Sequence, residues 1–214
     1  TFFKKWFNKE VMEDWEIIRL GDLIEVKGGF SYKAKYIGTG DALLLGMGCV
    51  SFNGQFLFSG ARPYSGNFGN RHIAESGDIV IATRQQSDNL PILGFPARIP
   101  SSLKDMKVIV GSNLFRIINK SNINNSLLFQ LFRSEEYKKH ILANSKGSTV
   151  TMITKDSIEQ YEFRIPPREL IQDYENMLIS IDEKMEKNVE QIHILKQIRD
   201  ALLQKLITGK IRVA

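Results

Sequence analysis

The sequence contains few of the residues that build disulfides and metal centres. Cys49 is the only cysteine among 214 residues, so no disulfide can form within one chain. The three histidines, His72, His140 and His193, lie far apart and lack the spacing of metal ligands. We therefore expect neither a disulfide framework nor a bound metal.

Long apolar runs are also missing. No segment approaches the roughly 18–20 uninterrupted apolar residues of a membrane-spanning helix. The opening residues 1–7 lack the apolar core of a signal peptide. These features predict a cytoplasmic protein without a membrane partner.

Motifs of the common catalytic sites are absent as well. A base methyltransferase needs a glycine-rich cofactor loop and an Asn-Pro-Pro-aromatic or Pro-Cys element, and neither occurs. Gly46-Met47-Gly48 has no third glycine and no following helix, so it is interpreted as a turn. No Walker loop, nucleophile elbow or His-Glu-x-x-His motif occurs, and Asp78 lacks the other groups of a nuclease site. We expect no catalytic activity and no cofactor.

What is present is typical of a folded α+β domain. Apolar residues make up 43% and charged residues 25% of the chain, as in soluble globular proteins. Polar residues can cap helices that begin near Asn124 or Asn125 and near Ser134. Gly77-Asp78 predicts a tight turn. Strands rich in β-forming residues are predicted at 42–46, 79–83, 92–99 and 108–118.

The organisation along the chain predicts a domain followed by one long helix. Residues 1–14 are an aromatic and basic lead-in, 15–167 the domain, and 168–214 a helical segment beginning after Pro166-Pro167. Thr208-Gly209 predicts its stop. Eight of ten residues at two heptad positions are apolar or aromatic, which is typical of a coiled coil that needs a partner helix. One position holds Tyr174, Ile181, Asn188, Leu195 and Leu202, and the other holds Leu178, Met185, Ile192, Arg199 and Leu206.

Asn188 has two interpretations. A buried amide in the seam would destabilise most registers and so select one. Alternatively, the helix supercoils locally and Asn188 faces water.

Three segments in this order resemble the specificity subunits of type I restriction-modification systems. They cover nearly the whole chain from Trp15 to Val213. The resemblance implies a DNA target-recognition domain, a spacer helix and no catalysis. The segments are 15–24 (WEIIRLGDLI) with 27–30 (KGGF), then 147–150 (GSTV), 153–155 (ITK) and 163–167 (FRIPP), and finally 181–185 (IDEKM), Asn188 and 198–213 (IRDALLQKLITGKIRV).

The resemblance also implies partners and a mechanism. Each recognition domain of the family reads half of a split duplex DNA target, and paired helices fix the gap between the halves. The subunit positions a modification methyltransferase and, through the complex, a restriction subunit. The family normally carries two domains and two helices, whereas this sequence has one of each, so it is either a fragment or a homodimer. Residues 2–7 resemble sequence that follows a first spacer helix, which favours a truncated or rearranged origin.

Within this framework, polar loops are the candidate DNA-reading surface, because Arg reads guanine, Gln and Asn read adenine, and Lys and Ser hold phosphates. The net charge of +5 is compatible with this role. Ordinary solvated loops, or for 146–149 a helix-ending turn, remain the alternative interpretation. The candidates are Arg84, Gln85, Gln86 and Ser87 in one loop, Arg62 and Arg71 in a second, and Lys146, Ser148 and Thr149 as phosphate contacts.

Two other classes stay open from the residues alone. The same heptads would serve a coiled-coil adaptor whose domain binds protein and not DNA. A DNA-modifying enzyme is the third class. Salt-dependent duplex binding and methylation by the purified chain separate these alternatives.

Overall fold

A computed structural model describes residues 15–85, 92–147, 150–209 and 211. The predicted lead-in 1–14 lies outside the described residues. The strands in these ranges are β1 (Ile17–Arg19), β2 (Ile24–Gly28), β3 (Ile37–Leu45), β4 (Ala61–Tyr64), β5 (Ile73–Ala74), β6 (Ile79–Ala82), β7 (Arg84–Gln85), β8 (Pro96–Arg98), β9 (Lys107–Val110), β10 (Leu114–Asn119), β11 (Thr151–Met152) and β12 (Glu162–Arg164).

Polar side chains cap the beginnings of three short helices. Asn124 accepts a hydrogen bond from the Ser126 N–H, and Ser134 accepts one from the Tyr137 N–H, so both predicted caps are confirmed. Thr154 and Ser157 form a reciprocal capping box. The α-helices are α1 (Leu20–Leu23), α2 (Asn125–Leu131), α3 (Glu135–Ala143), α4 (Lys155–Glu159) and α5 (Arg168–Ile207).

Two four-stranded sheets form the centre of the domain. The first has the order β2-β10-β6-β8 and the second β4-β3-β9-β5. Strand β6 is buried on both sides, because Ile79 and Ile81 pack against the helices while Val80 and Ala82 pack between the sheets. The core therefore has one layer between the sheets and another between the first sheet and helices α2, α3 and α4.

Three predicted strands have different bounds in the structure. Segment 42–46 contains the end of the longer strand β3, which begins at Ile37. Segment 108–118 is interrupted at Gly111, where the Leu114 N–H donates to the Gly111 carbonyl at 3.0 Å. Its halves, β9 and β10, consequently belong to different sheets. In 92–99 only Pro96–Arg98 is a strand, because Gly94 adopts a positive φ of 73° in a turn. Strand β6 and the turn at Gly77, which has φ 85°, agree with prediction.

The beginning and end of the domain pair with each other. Strand β1 lies antiparallel to β12, with Ile17 opposite Arg164 and Ile18 opposite Phe163. The Ile165 N–H also donates to the Glu16 carbonyl at 2.9 Å. The chain thus enters the domain beside the point where the long helix α5 begins.

The long helix has 40 residues and spans roughly 60 Å at about 1.5 Å per residue. The helix packs on the domain as far as His193, whose ring stacks on Phe58 with centroids 3.9 Å apart. Tyr174 and Leu178 are 5% and 3% exposed and contact Leu127. The prediction that these two residues face a partner helix is therefore wrong. An apolar stripe on a helix indicates that this face of the helix is buried, but it does not tell whether a second helix or the chain's own domain covers it.

The remaining predicted seam residues are more accessible. Met185 is half-buried beside Phe129, whereas Asn188 is exposed. The helix ends as predicted at Thr208 and Gly209, and Gly209 adopts a positive φ of 70°. In the described ranges, no helix combines the length and apolarity that crossing a membrane requires. Exposed apolar seam residues are Ile181, Ile192, Leu195, Leu202 and Leu206.

Candidate nucleic-acid interface

The two polar segments that the sequence singles out near residues 84 and 146 lie side by side. Strand β7 pairs antiparallel with β11, which places Arg84 opposite Met152 and Gln85 opposite Thr151. Met152 also exchanges two backbone hydrogen bonds with Lys146, at 2.8 and 2.9 Å. We call these residues, Arg84, Gln85, Lys146, Thr151 and Met152, the polar ribbon. Gln86, Ser87, Ser148 and Thr149 lie outside the described residues.

Thr83 connects the polar ribbon to the core of the first sheet. It follows the buried strand β6 and is itself 5% exposed. Its N–H donates to the Asn113 carbonyl at 3.1 Å, and its carbonyl accepts from the Ile153 N–H at 3.0 Å. These bonds hold the base of the polar ribbon on both sides. The ribbon therefore projects from a rigid support.

Gly147 allows the chain to turn back between Lys146 and Met152. Its φ is 113°, a conformation that side-chain-bearing residues rarely adopt. A Cβ atom at this position would lie 2.1 Å from the Val150 carbonyl oxygen. Both the positive φ and the lack of space for a Cβ atom therefore require glycine in this turn.

The pairing determines which side chains share a face of the polar ribbon. Directly opposed residues in antiparallel strands project to the same side. Arg84, Met152 and Lys146 consequently form one row, with both cations exposed. Within the described ranges neither cation forms a salt bridge, so this row presents positive charge to solvent. Gln85 and Thr151 project to the other side, where the Gln85 Oε1 accepts from the Leu93 N–H at 3.4 Å.

Arg62 and Arg71 lie away from each other. Arg62 is on the edge strand β4, whereas Arg71 is in the 3-10 turn that leads into β5 at the opposite edge. Three strand spacings of about 4.8 Å separate these edges. Both arginines are exposed. The structure thus divides the second predicted reading segment between two edges of one sheet.

An aromatic cluster on the outer face of the second sheet was not identified from the sequence. Buried Tyr64 makes edge contacts with the rings of Phe30 and Tyr36. Lys35 places its Nζ 4.9 Å from the Tyr36 ring centroid. The available signal was the segment 32–36 (YKAKY), in which two tyrosines flank two lysines, since basic and aromatic residues occur together in nucleic-acid-binding surfaces.

His72 extends this cluster toward Arg71. The His72 ring centroid lies 5.2 Å from that of Phe30, and the Arg71 Nε donates to the His72 Nε2 at 3.1 Å. Burial, and then the positive charge of Arg71, lowers the pKa of His72 below its ordinary value of 6.5. The cation at this edge near neutral pH is therefore Arg71 rather than the histidine.

The described residues can also be compared with the requirements of a metal site and of a reactive cysteine. They contain no group of three or more His, Cys, Asp or Glu side chains placed to hold a metal. Residues Met47–Cys49 form a 3-10 turn, as predicted, and Gly48 is in close backbone contact with Gly60. Burial raises the pKa of the Cys49 thiol to about 12, which keeps it protonated and poorly nucleophilic.

Comparison with known proteins identifies the family. Residues 12–208 match the family described as "Type I restriction modification DNA specificity domain". The chain belongs to this family. The resemblance drawn from the sequence motifs is thereby confirmed.

Named members of the specificity-domain family align with nearly all of this chain. The type I restriction enzyme MjaIX specificity subunit of Methanocaldococcus jannaschii is 26% identical over 212 residues, covering 96% of this chain and 46% of that protein. The MjaVIII specificity subunit of the same organism is 27% identical, covering 99% and 49% respectively. The chain thus spans about half the length of these curated relatives.

A solved structure supports the same fold. The crystal structure of the type I restriction-modification S subunit from M. genitalium has a TM-score of 0.56 at 15% identity. The match covers 91% of this chain and 46% of that chain. The predicted architecture, an α+β domain followed by a long C-terminal helix, is confirmed.

Proposed function

We propose that this specificity-domain chain binds double-stranded DNA and reads one half of a split target through the polar ribbon. The observation that carries the proposal is the pairing of β7 with β11, which joins the two polar segments that the sequence predicts to contact DNA. A major groove about 12 Å wide accommodates a two-stranded ribbon. The exposed row of Arg84 and Lys146 supplies the positive charge that DNA phosphates require.

The members of the polar ribbon have different proposed roles. Arg84, on the exposed row, is suited to paired hydrogen bonds with guanine. Gln85 projects to the other side, where its Oε1 accepts from the Leu93 N–H, so its predicted DNA contact would have to use the amide NH2 group. Lys146 contacts phosphate and contributes affinity without base preference. Gln86, Ser87, Ser148 and Thr149 remain predicted contacts of the same surface. Arg62 and Arg71 are proposed to hold flanking phosphates.

The end of the long helix, beyond His193, is proposed to pair with the same helix of another copy. Leu195 and Leu202 are 63% and 45% exposed, and Leu206 on the other heptad position is 37% exposed. Burial of such residues against a partner releases water from apolar surface and stabilises the pair. A homodimer would present two domains, each reading one half-site, so its target would be an inverted repeat with a fixed gap.

The assembled dimer is proposed to act as a non-catalytic guide. It would bind a modification methyltransferase subunit and, through that complex, a restriction subunit. The names of the relatives describe specificity rather than catalysis. Catalysis would then come from the partner subunits, and this chain would determine where on DNA they act.

A base-resolution methylation map tests the proposal. DNA from cells that express this chain with its modification subunit is compared with DNA from cells that express the modification subunit alone. We expect a new split, palindromic methylated motif. Methylation without a motif, or no methylation by a complex shown to assemble, would contradict the proposal.

Duplex binding by the purified chain separates DNA reading from an adaptor function. A DNA-reading chain should lose affinity steeply as salt increases, because bound phosphates release counterions. It should also prefer duplexes that carry the mapped motif. An adaptor would show neither behaviour.

A further inference from the structure

We propose that four carboxylates of the long helix set the gap length of the split target by fixing where the domain sits on the helix. This inference rests on the proposed function. We call Glu175, Asp182, Glu186 and Glu190 the acidic clamp. All four lie along one flank of the helix, because their separations of seven, four and four residues follow its 3.6-residue period.

The strongest contact of the acidic clamp is a largely buried ion pair. The Arg98 Nη1 donates to the Asp182 Oδ2 at 2.8 Å, and the two side chains are 21% and 9% exposed. Arg98 belongs to the edge strand β8, and its guanidinium carbon lies 4.8 Å from the Phe129 ring centroid in α2. One side chain thus joins the first sheet, α2 and the long helix.

The other carboxylates accept hydrogen bonds from fixed groups of the domain. Glu186 accepts from the Ser101 N–H at 2.6 Å. Glu190 accepts from the Ser101 hydroxyl at 3.0 Å and from the Ser102 N–H at 3.1 Å. Glu175 accepts from the N–H of Asn124, the cap of α2, at 2.5 Å. Backbone donors cannot change position without moving the domain itself.

Directional contacts of this kind define a register that apolar packing alone does not. Tyr174 and Leu178 provide area, but apolar contacts are non-directional and tolerate tilting of the domain about the point where it joins the helix. Hydrogen bonds to charged groups are lost when geometry changes, which penalises every displaced position. The rise of duplex DNA is about 3.4 Å per base pair, so a tilt that moves the reading surface by this distance would bring the domain to a different base pair.

The acidic clamp is therefore inferred to consist of positioning residues. They touch no DNA, yet they determine which distance between half-sites the pair of domains fits. The polar ribbon reads the half-site sequence, and the acidic clamp selects the gap. Mutation of the two should alter separate properties of the methylated motif.

The test uses the full chain with its modification subunit and a library of targets that vary only in gap length. The test variant is Glu186→Ala with Glu190→Ala, which lie at the helix surface and whose loss should leave the fold intact. The control is Asp173→Ala with Glu183→Ala, which removes the same charge from exposed positions that form no ion pair with the domain within the described ranges. Asp182→Asn forms a third variant. Thermal melting verifies folding in each case.

We expect wild type and control to methylate one gap length. In the test variant, methylation at neighbouring gaps relative to the native gap should rise roughly tenfold, the effect of losing hydrogen bonds to charged groups. The half-site sequence should not change. If Asp182→Asn does not fold, the surface variant still decides the question. An unchanged gap profile in the folded test variant would overturn the inference, whereas a wild type with no motif would instead contradict the proposed function.

Discussion

Arg84 lies directly opposite Met152, and Met152 lies opposite Lys146 in the next pairing. The residues come from segments more than sixty positions apart in the sequence, yet their side chains share one face. This arrangement separates a group suited to bases from a group suited to phosphates within one small surface.

The first prediction concerns this division of roles. Arg84→Ala should weaken binding to the native half-site by about 1–3 kcal/mol and relax preference at one base position. Lys146→Ala should weaken binding similarly on all sequences and reduce the dependence of log affinity on log salt by about one unit. Binding to a randomised duplex library at two salt concentrations measures both effects. Equal base preference in wild type and Arg84→Ala would remove Arg84 from the reading surface.

Gly147 provides a test of the turn in the polar ribbon. Gly147→Ala should displace the Lys146–Met152 pairing, because the new Cβ would overlap the Val150 carbonyl and the positive φ is strained. We expect a stability loss of roughly 1–3 kcal/mol together with weaker duplex binding. Gly69→Ala is the matched control, since Gly69 has φ −89° and no atom within 4 Å of an added Cβ. Equal duplex affinities of the two variants would mean that the turn does not support DNA binding.

Leu202 tests the proposed helix pairing. Leu202→Glu should weaken self-association by roughly 100-fold or more, because a symmetric pair would bury two copies of the introduced charge. Gln204→Glu adds a similar charge two residues away, outside the predicted seam, and should have little effect. Sedimentation velocity across a concentration series measures the difference. A wild-type chain that stays monomeric at high concentration would contradict the homodimer.

Alkaline unfolding tests the packing of Tyr174. Burial, and then the charge of Asp182, raises the pKa of Tyr174 to about 12, whereas Arg133 opposes the shift. The unfolded tyrosine titrates near pH 10, so between pH 10 and 12 the unfolded state loses this proton more readily than the folded state. The free energy of unfolding is therefore unaffected by titration of Tyr174 well below pH 10 and decreases as pH rises toward 12. At pH 11 this decrease is roughly 1–2 kcal/mol. Urea unfolding at pH 8 and pH 11 should therefore show a smaller decline for Tyr174→Phe than for wild type, and equal declines would contradict the assignment.

Local features of this fold could be predicted from sequence because their causes lie within a few residues. The caps at Asn124 and Ser134, the turn at Gly77 and the end of the helix at Gly209 are of this kind. The pairing of β7 with β11 depends on distant segments whose composition indicates polarity but not adjacency. Tyr174 and Leu178 show the same limit, since a heptad pattern does not distinguish a second helix from the chain's own domain.

The pairing of β1 with β12 has a consequence for how such proteins diversify. The first and last strands of the domain lie side by side, so the chain enters and leaves the domain at one place, next to the start of the long helix. A different domain whose two ends lie equally close together could replace it without altering the helix that follows, because compact units with adjacent ends tolerate insertion. New target preferences could then arise through exchange of whole domains, while the long helix stays unchanged.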